Sequence, residues 1–319
     1  MDAAAPLKIN PVRNIITILA ALPLFAGSAF GWGCQGHQVI ALIARTHLTP
    51  AASTAVDKLL SENPIDPALS RFCRVHPADL LADSATWADD ERNVIKNDGW
   101  HYVDIPLSVT SGDAMEWCPP KTGCIITALA NALDYLRSKS QSDVKRAEAL
   151  RYVVHLISDM TQPLHAEDDH DQGGNCETVS LPSAERPTNL HSLWDSGLLA
   201  QEVSNKKLTD EQLVSEIDHE FSDKFSAWSK APVDPQAWAW ESHEMAVKVI
   251  YGNLRPQIPL APFNAGDATK ESCDAEKASS AALHITIGSE YSDAALPVIH
   301  AQMAKAAYRT AGILNEIFK

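Results

Sequence analysis

The 319-residue sequence predicts a single all-α domain. Three observations predict it. Apolar residues recur at three- and four-residue spacing along most of the chain, stretches with strand-like alternation are few, and no linker or internal repeat divides it. With 45% of residues hydrophobic and 21% charged, the composition is that of an ordinary globular protein with enough apolar surface for one sizeable core.

At the N-terminus, Lys8 and Arg13 form a basic region ahead of the apolar run from Ile15 to Phe25, and Ala29-Phe30-Gly31 supplies small residues behind it. That is the layout of a secretory signal peptide, since a transmembrane helix needs ~20 apolar residues. Residues 1–31 are therefore expected to be removed after Gly31, leaving a domain over 32–319 that begins with Trp32 and is secreted or periplasmic. No later stretch is long and apolar enough to span a membrane.

In the expected mature part, Val39-Ile40, Ile43 and His47-Leu48 set the first helix. Trp87-Ala88-Asp89 sits in a helical segment with Arg92 one turn on. Trp100 to Ile105 reads as extended, so alternation puts His101 and Val103 on one side. Helical spacing returns from Ile125 to Leu136 and from Ala147 to Met160, where Pro163 interrupts it. Glu177 to Leu181 is a second extended candidate. Further helices are expected over Leu190 to Leu199, Glu211 to Phe225, Gln236 to Tyr251 and Asp293 to Phe318. Two loops stand out: polar, Gly-rich Asp168 to Asn175, and the small-residue insertion Ala261 to Ser280.

Six cysteines (34, 73, 118, 124, 176 and 273) form an even set, which in an exported chain favours disulfides over thiolate metal ligands. Cys118 and Cys124 enclose a short loop with Pro119, Pro120 and Gly123 and are expected to pair. The other four allow three pairings, among which the sequence does not choose.

The chemistry sits in histidine–aspartate pairs. His155 and Asp159 lie four residues apart, hence on one helix face, inside an otherwise apolar run where an unpaired ionisable group costs several kcal/mol. His191 and Asp195 repeat the spacing, and His165 follows Pro163 between them. One such pair alone is more often a surface hydrogen bond. Repetition in a buried setting points instead to metal, and imidazole with carboxylate suits zinc. Asp89, His101 and His37 add donors, although each alone reads as an ordinary side chain.

Together these segments resemble the type I, single-strand-specific zinc nucleases of the S1/P1 family, whose wider superfamily includes zinc phospholipases C. The resemblance rests on WGCQGH at 32–37, WADDER at 87–92, WHYVDIP at 100–106, HLISDMTQPLH at 155–165, GGN at 173–175 and NLHSLWD at 189–195. It implies a disulfide-stabilised helical domain with a cleft holding three zinc ions. Asp89, His101, His155 and Asp159 would hold the first ion, and His165, His191 and Asp195 the second. The amine and carbonyl of Trp32 with His37 would hold the third, Asp159 bridging it to the first. Asp104 would be the catalytic acid–base group, Arg92 the phosphate-binding cation, and Asn175 a nucleobase contact, with Tyr102 also on the substrate side. The implied activity is hydrolysis of single-stranded DNA and RNA to 5′-phosphorylated products by a monomer, and an added 3′-nucleotidase activity is left open.

A net charge of −15 argues against a basic nucleic-acid surface. Bound divalent ions answer that objection, being the largest local charges in such a site. The rival reading is a zinc phospholipase C on the same scaffold. Against it, that pattern carries Glu where Asp195 stands here, and Arg92 and the GGN loop favour nucleic acid. A purely structural zinc protein is a third reading, but structural sites are closed by four protein ligands, whereas the second site here counts three.

Overall fold

The computed structural model describes residues 32–73, 77–181, 186–254 and 285–319. Helices make up nearly all of its regular structure. In chain order they are α1 (Gly33–Thr46), α2 (Pro50–Glu62), α3 (Leu80–Ser84), α4 (Trp87–Ile95), α5 (Ile125–Arg137), α6 (Asp143–Thr161), α7 (Leu190–Ser192), α8 (Leu198–Lys206), α9 (Asp210–Glu220), α10 (Phe225–Ser229), α11 (Pro235–Met245), α12 (Gly252–Leu254) and α13 (Ser289–Ile317). None of the described helices is long and apolar enough to cross a membrane.

The core is organised around α6. Every residue from Val153 to Thr161 is buried, so this helix is covered on all sides rather than along one stripe. It packs against α5, α13, α11, α4 and α3, with α1 and α2 also touching it. Ser142 caps its start by accepting the Lys145 N–H, and Gln162-Pro163 ends it. A stretch with no solvent face leaves its polar residues to find partners inside the protein, and that is where His155 and Asp159 lie.

Sequence reading found most helices within a few residues but missed α2 and α3. The apolar residues that α2 buries are Ala52, Val56, Leu59 and Leu60, a sparse stripe. Its start is marked by Thr49, whose side chain accepts the Ala52 N–H, with Pro50 in the first turn. Two expected continuous helices are broken by π-helical turns, Leu193–Gly197 between α7 and α8 and Ala246–Tyr251 after α11. The Glu211 to Phe225 segment divides into α9, a 3-10 turn and α10.

Among the described residues, strand structure is confined to a small sheet of order β2-β1-β3. Its central strand β1 (Thr178–Ser180) pairs antiparallel with β2 (Thr188–Asn189) and parallel with β3 (Ile285–Thr286). The Glu177 to Leu181 expectation is thus met. Trp100 to Ile105 differs: Asp98–His101 is a 3-10 turn, and the chain is extended from Tyr102 but makes only the isolated bridge Pro106–Asp168. Burial still alternates from His101 to Pro106, because Val103 N–H donates to His165 O and Asp168 N–H to Ile105 O. His101 and Val103 therefore both face inward, as the alternation predicted.

Cys118 and Cys124 are disulfide-bonded, as expected, and Cys34 pairs with Cys73. Cys176 is disulfide-bonded as well, to a partner outside the described residues. The expected signal peptide and the Ala261 to Ser280 insertion also lie outside them.

Candidate metal centre

Seven elements deliver the predicted ligands to one buried place. Helix α6 brings His155 and Asp159, α1 brings His37, α4 brings Asp89, and the turn after α4 brings His101. The 3-10 turn Pro163–His165 brings His165, while α7 and its π-turn bring His191 and Asp195. All eight side chains are buried.

Among the described residues, three groups each place one ligand atom per residue within 4.8 Å of the others: His37 with His155 and Asp159, Asp89 with His101 and His155, and His165 with His191 and Asp195. Asp159 stands at the junction. Its Oδ2 is 2.9 Å from both His101 Nδ1 and His155 Nε2, and its Oδ1 is 3.2 Å from His37 Nε2. Asp89 Oδ1 is 3.7 Å from His155 Nε2 and 3.8 Å from His101 Nδ1. In the other group His191 Nε2 lies 3.2 Å from His165 Nε2 and 3.3 Å from Asp195 Oδ2. Neighbouring donors on a tetrahedral ion with bonds of ~2.0–2.1 Å stand roughly 3.3 Å apart. The observed spacings fit such an ion.

The backs of the rings are fixed. Nδ1 of His155, His165 and His191 lies 2.7, 2.7 and 2.6 Å from the carbonyls of Ala85, His101 and Gly173. When the ring is neutral, donation there leaves Nε2 with its lone pair turned toward the cluster, the usual outer bond of a metal-binding histidine. Several atoms lack any such bond: both nitrogens of His37, Nε2 of His101 and Oδ1 of Asp159 are buried without a hydrogen-bond partner. Orphaned buried groups are costly, and a cation among them offsets that cost.

The electrostatics agree. Burial, followed by the like charge of His165, pushes His191 down to about 3, so it is neutral as a ligand must be. Burial likewise lowers His37 and His165. Burial opposes ionisation of Asp159, yet the charges of His155 and His165 and hydrogen bonds from His101 and His155 hold it well below the carboxylate range. His155 rises to about 9 despite its burial, because Asp159 and Asp89 call for positive charge at that point.

The remaining predicted residues are less uniform in placement. Trp32 is fully buried, its indole N–H donating to Thr161 Oγ1 at 3.2 Å and its carbonyl accepting from His37 N–H. Arg92 is buried beside the cluster, Nη1 3.7 Å from Asp89 Oδ1 and Nε 3.8 Å from exposed Asp98. Asp104 and Tyr102 are half-buried and line a groove. Asn175 is half-buried, its amide donating to Gln172 O at 2.8 Å. The loop beneath it needs its glycines. Gly173 has φ +62 and an added Cβ would sit 2.6 Å from Leu164 O, while Gly174 O accepts from His191 N–H.

One residue escaped sequence reading. Gln162 is fully buried, its amide donates to Asp195 Oδ1 at 2.5 Å, and its Oε1 accepts from Leu164 N–H. It fixes the carboxylate of the three-residue group. A Gln between a buried helix end and Pro163 was the available signal.

Comparison with known proteins gives concordant matches. The S1/P1 Nuclease family profile matches residues 32–319. The chain is 29% identical to Nuclease P1 of Penicillium citrinum, over 90% of this chain and 97% of that protein. It is 28% identical to Endonuclease 2 of Arabidopsis thaliana, over 97% and 98%. With Nuclease S1 of Aspergillus oryzae it shares 24% identity, over 95% and 98%.

Proposed function

The chain belongs to the S1/P1 nuclease family, and on that premise we propose that it is an exported zinc-dependent endonuclease, hydrolysing single-stranded DNA and RNA to 5′-phosphorylated products. The observation that carries the reading is the convergence of three buried His/Asp groups around Asp159 and Asp195. Export is supported by the disulfides, which persist in oxidising compartments. The phospholipase reading is not favoured, since the relatives named above are nucleases and Asp195 stands within its predicted group.

Asp89, His101, His155 and Asp159 would hold one zinc ion, His165, His191 and Asp195 a second, and His37 with Asp159 and the terminal amine and carbonyl of Trp32 a third. Bound zinc supplies the positive charge the acidic chain lacks and lowers the pKa of water from 15.7 to about 7. The protein's own groups do the rest. Arg92 offsets charge growing on the phosphoryl oxygens as water attacks phosphorus and the 3′ oxygen departs. Asp104 orients the attacking water and accepts its proton. Asn175 and Tyr102 hold an unstacked base, which a duplex does not present.

The test is hydrolysis of single-stranded DNA, single-stranded RNA, duplex DNA and phosphatidylcholine by one preparation, with and without chelator. Fast cleavage of both single strands, abolished by chelator, is expected. Preference for the lipid, or equal rates on duplex and single strand at low temperature, would contradict the proposal.

A further inference from the structure

A groove of about 460 Å³ opens beside the metal centre between the turn after α4 and the loop clipped by Cys118–Cys124. Asp104 and Tyr102 line it together with Lys96, Asn97, Trp100 and Trp117. The proposed mechanism uses Asp104 and Tyr102 and leaves the other four without a task.

Those four are set firmly. Trp100 donates its indole N–H to Thr122 O at 2.9 Å, and its ring meets Tyr152 edge-to-face at 5.7 Å. Trp117 meets Trp240 edge-to-face at 6.0 Å, and Trp240 is itself tied to Gly112 O. Both indoles remain only partly buried. Lys96 is exposed, and its backbone is fixed as the left-handed cap of α4, donating to Arg92 O at 2.8 Å. Asn97 is only 7% exposed; its amide nitrogen donates to Tyr152 OH at 3.2 Å while its Oδ1 is buried without a hydrogen-bond partner. Two anchored indoles and a nearby ammonium make a surface for a flat heterocycle joined to an anion.

We propose that this groove is a further nucleotide subsite, in which the base one step beyond the two that flank the scissile phosphate stacks on Trp100 and Trp117 and its phosphate pairs with Lys96. The inference rests on the nuclease reading above. Shared lining selects the occupant: Asp104, which that reading sets beside the attacking water, also lines this groove, so a strand held at the reacting phosphate has the groove next to it. Stacking on indole is sequence-tolerant because every base has a π-face, whereas base pairing in a duplex withholds that face.

The test compares KM and kcat for wild type, Trp117→Ala, Trp117→Phe and Lys96→Ala on a dinucleotide and on a ten-nucleotide single strand. Trp117→Ala should raise KM for the longer substrate roughly tenfold more than for the dinucleotide, with kcat little changed. Trp117→Phe should recover most of that loss, and Lys96→Ala should flatten the dependence of KM on salt by about 0.7 of a logarithmic unit per decade. Should Trp117→Ala not fold, by near-UV circular dichroism, the other two variants decide. KM shifts independent of substrate length, or none, would overturn the subsite and leave the nuclease reading standing. A wild type that cleaves no single strand would remove both.

Discussion

At the scale of residues, three histidines of the centre, His155, His165 and His191, have one ring nitrogen tied to a backbone carbonyl and the other turned toward the cluster. The His/Asp groups were legible because few side chain types bind metal and because i,i+4 spacing puts two of them on one face. What held them in place was not legible, since Ala85, His101 and Gly173 contribute backbone carbonyls that no side-chain pattern announces. Gln162 belongs to the same layer. Gln162→Ala should lower zinc affinity at the His165, His191 and Asp195 group by roughly 10–100-fold, read by competition with a chromophoric chelator. Unchanged affinity would reduce Gln162 to a packing residue. Arg92→Ala is expected to behave differently, leaving zinc content intact and slowing turnover by about 2–4 kcal/mol of barrier. A normal rate in that variant would take Arg92 out of the chemistry.

At the scale of elements, long periodic helices were readable and their irregularities were not. The His191–Asp195 spacing predicted a plain helix, yet Asp195 sits in a π-helical turn, the kind of local widening often found at functional sites. Its carboxylate still reaches His191, 3.3 Å away, so the inferred pairing held though the inferred backbone did not. Cysteine pairing shows the same limit. Cys34 and Cys73 meet because α1 folds back on the segment before α3, a long-range fact. That bond lies in the first turn of α1, three residues before His37. Replacing both cysteines by Ala should cost roughly 4 kcal/mol on the chain-entropy argument for a 39-residue separation, seen as a lowered denaturation midpoint. A midpoint equal to wild type would mean that packing alone fixes α1.

Across the whole molecule, distant helices are joined by polar pairs as well as by the apolar core. Glu202 on α8 lies 2.8 Å from His300 on α13, with Lys206 on its other side. Burial works against its ionisation, but hydrogen bonds from His300 and Lys206 bring Glu202 down to about 2 from an ordinary 4.5. Its contribution to stability is therefore complete above about pH 4.5 and fades as pH falls toward 2. His300 is held above its ordinary 6.5 by Glu202 despite burial, so its contribution is complete below pH 6.5 and fades as pH rises through the folded value. Glu202→Gln should consequently lower the melting temperature, relative to wild type, more at pH 5.5 than at pH 2.5 or 9. A pH-independent difference would show that the pair is not ionic.

The central claim is that this fold exists to gather three metal ions around Asp159 and its neighbours. Elemental analysis of the fully active protein, with its N-terminus confirmed as Trp32 by mass spectrometry, tests it most directly. Three zinc ions per chain are expected, falling to fewer when even one residue precedes Trp32, because an amide nitrogen has no lone pair to offer metal. Full activity with one zinc ion or none would contradict it.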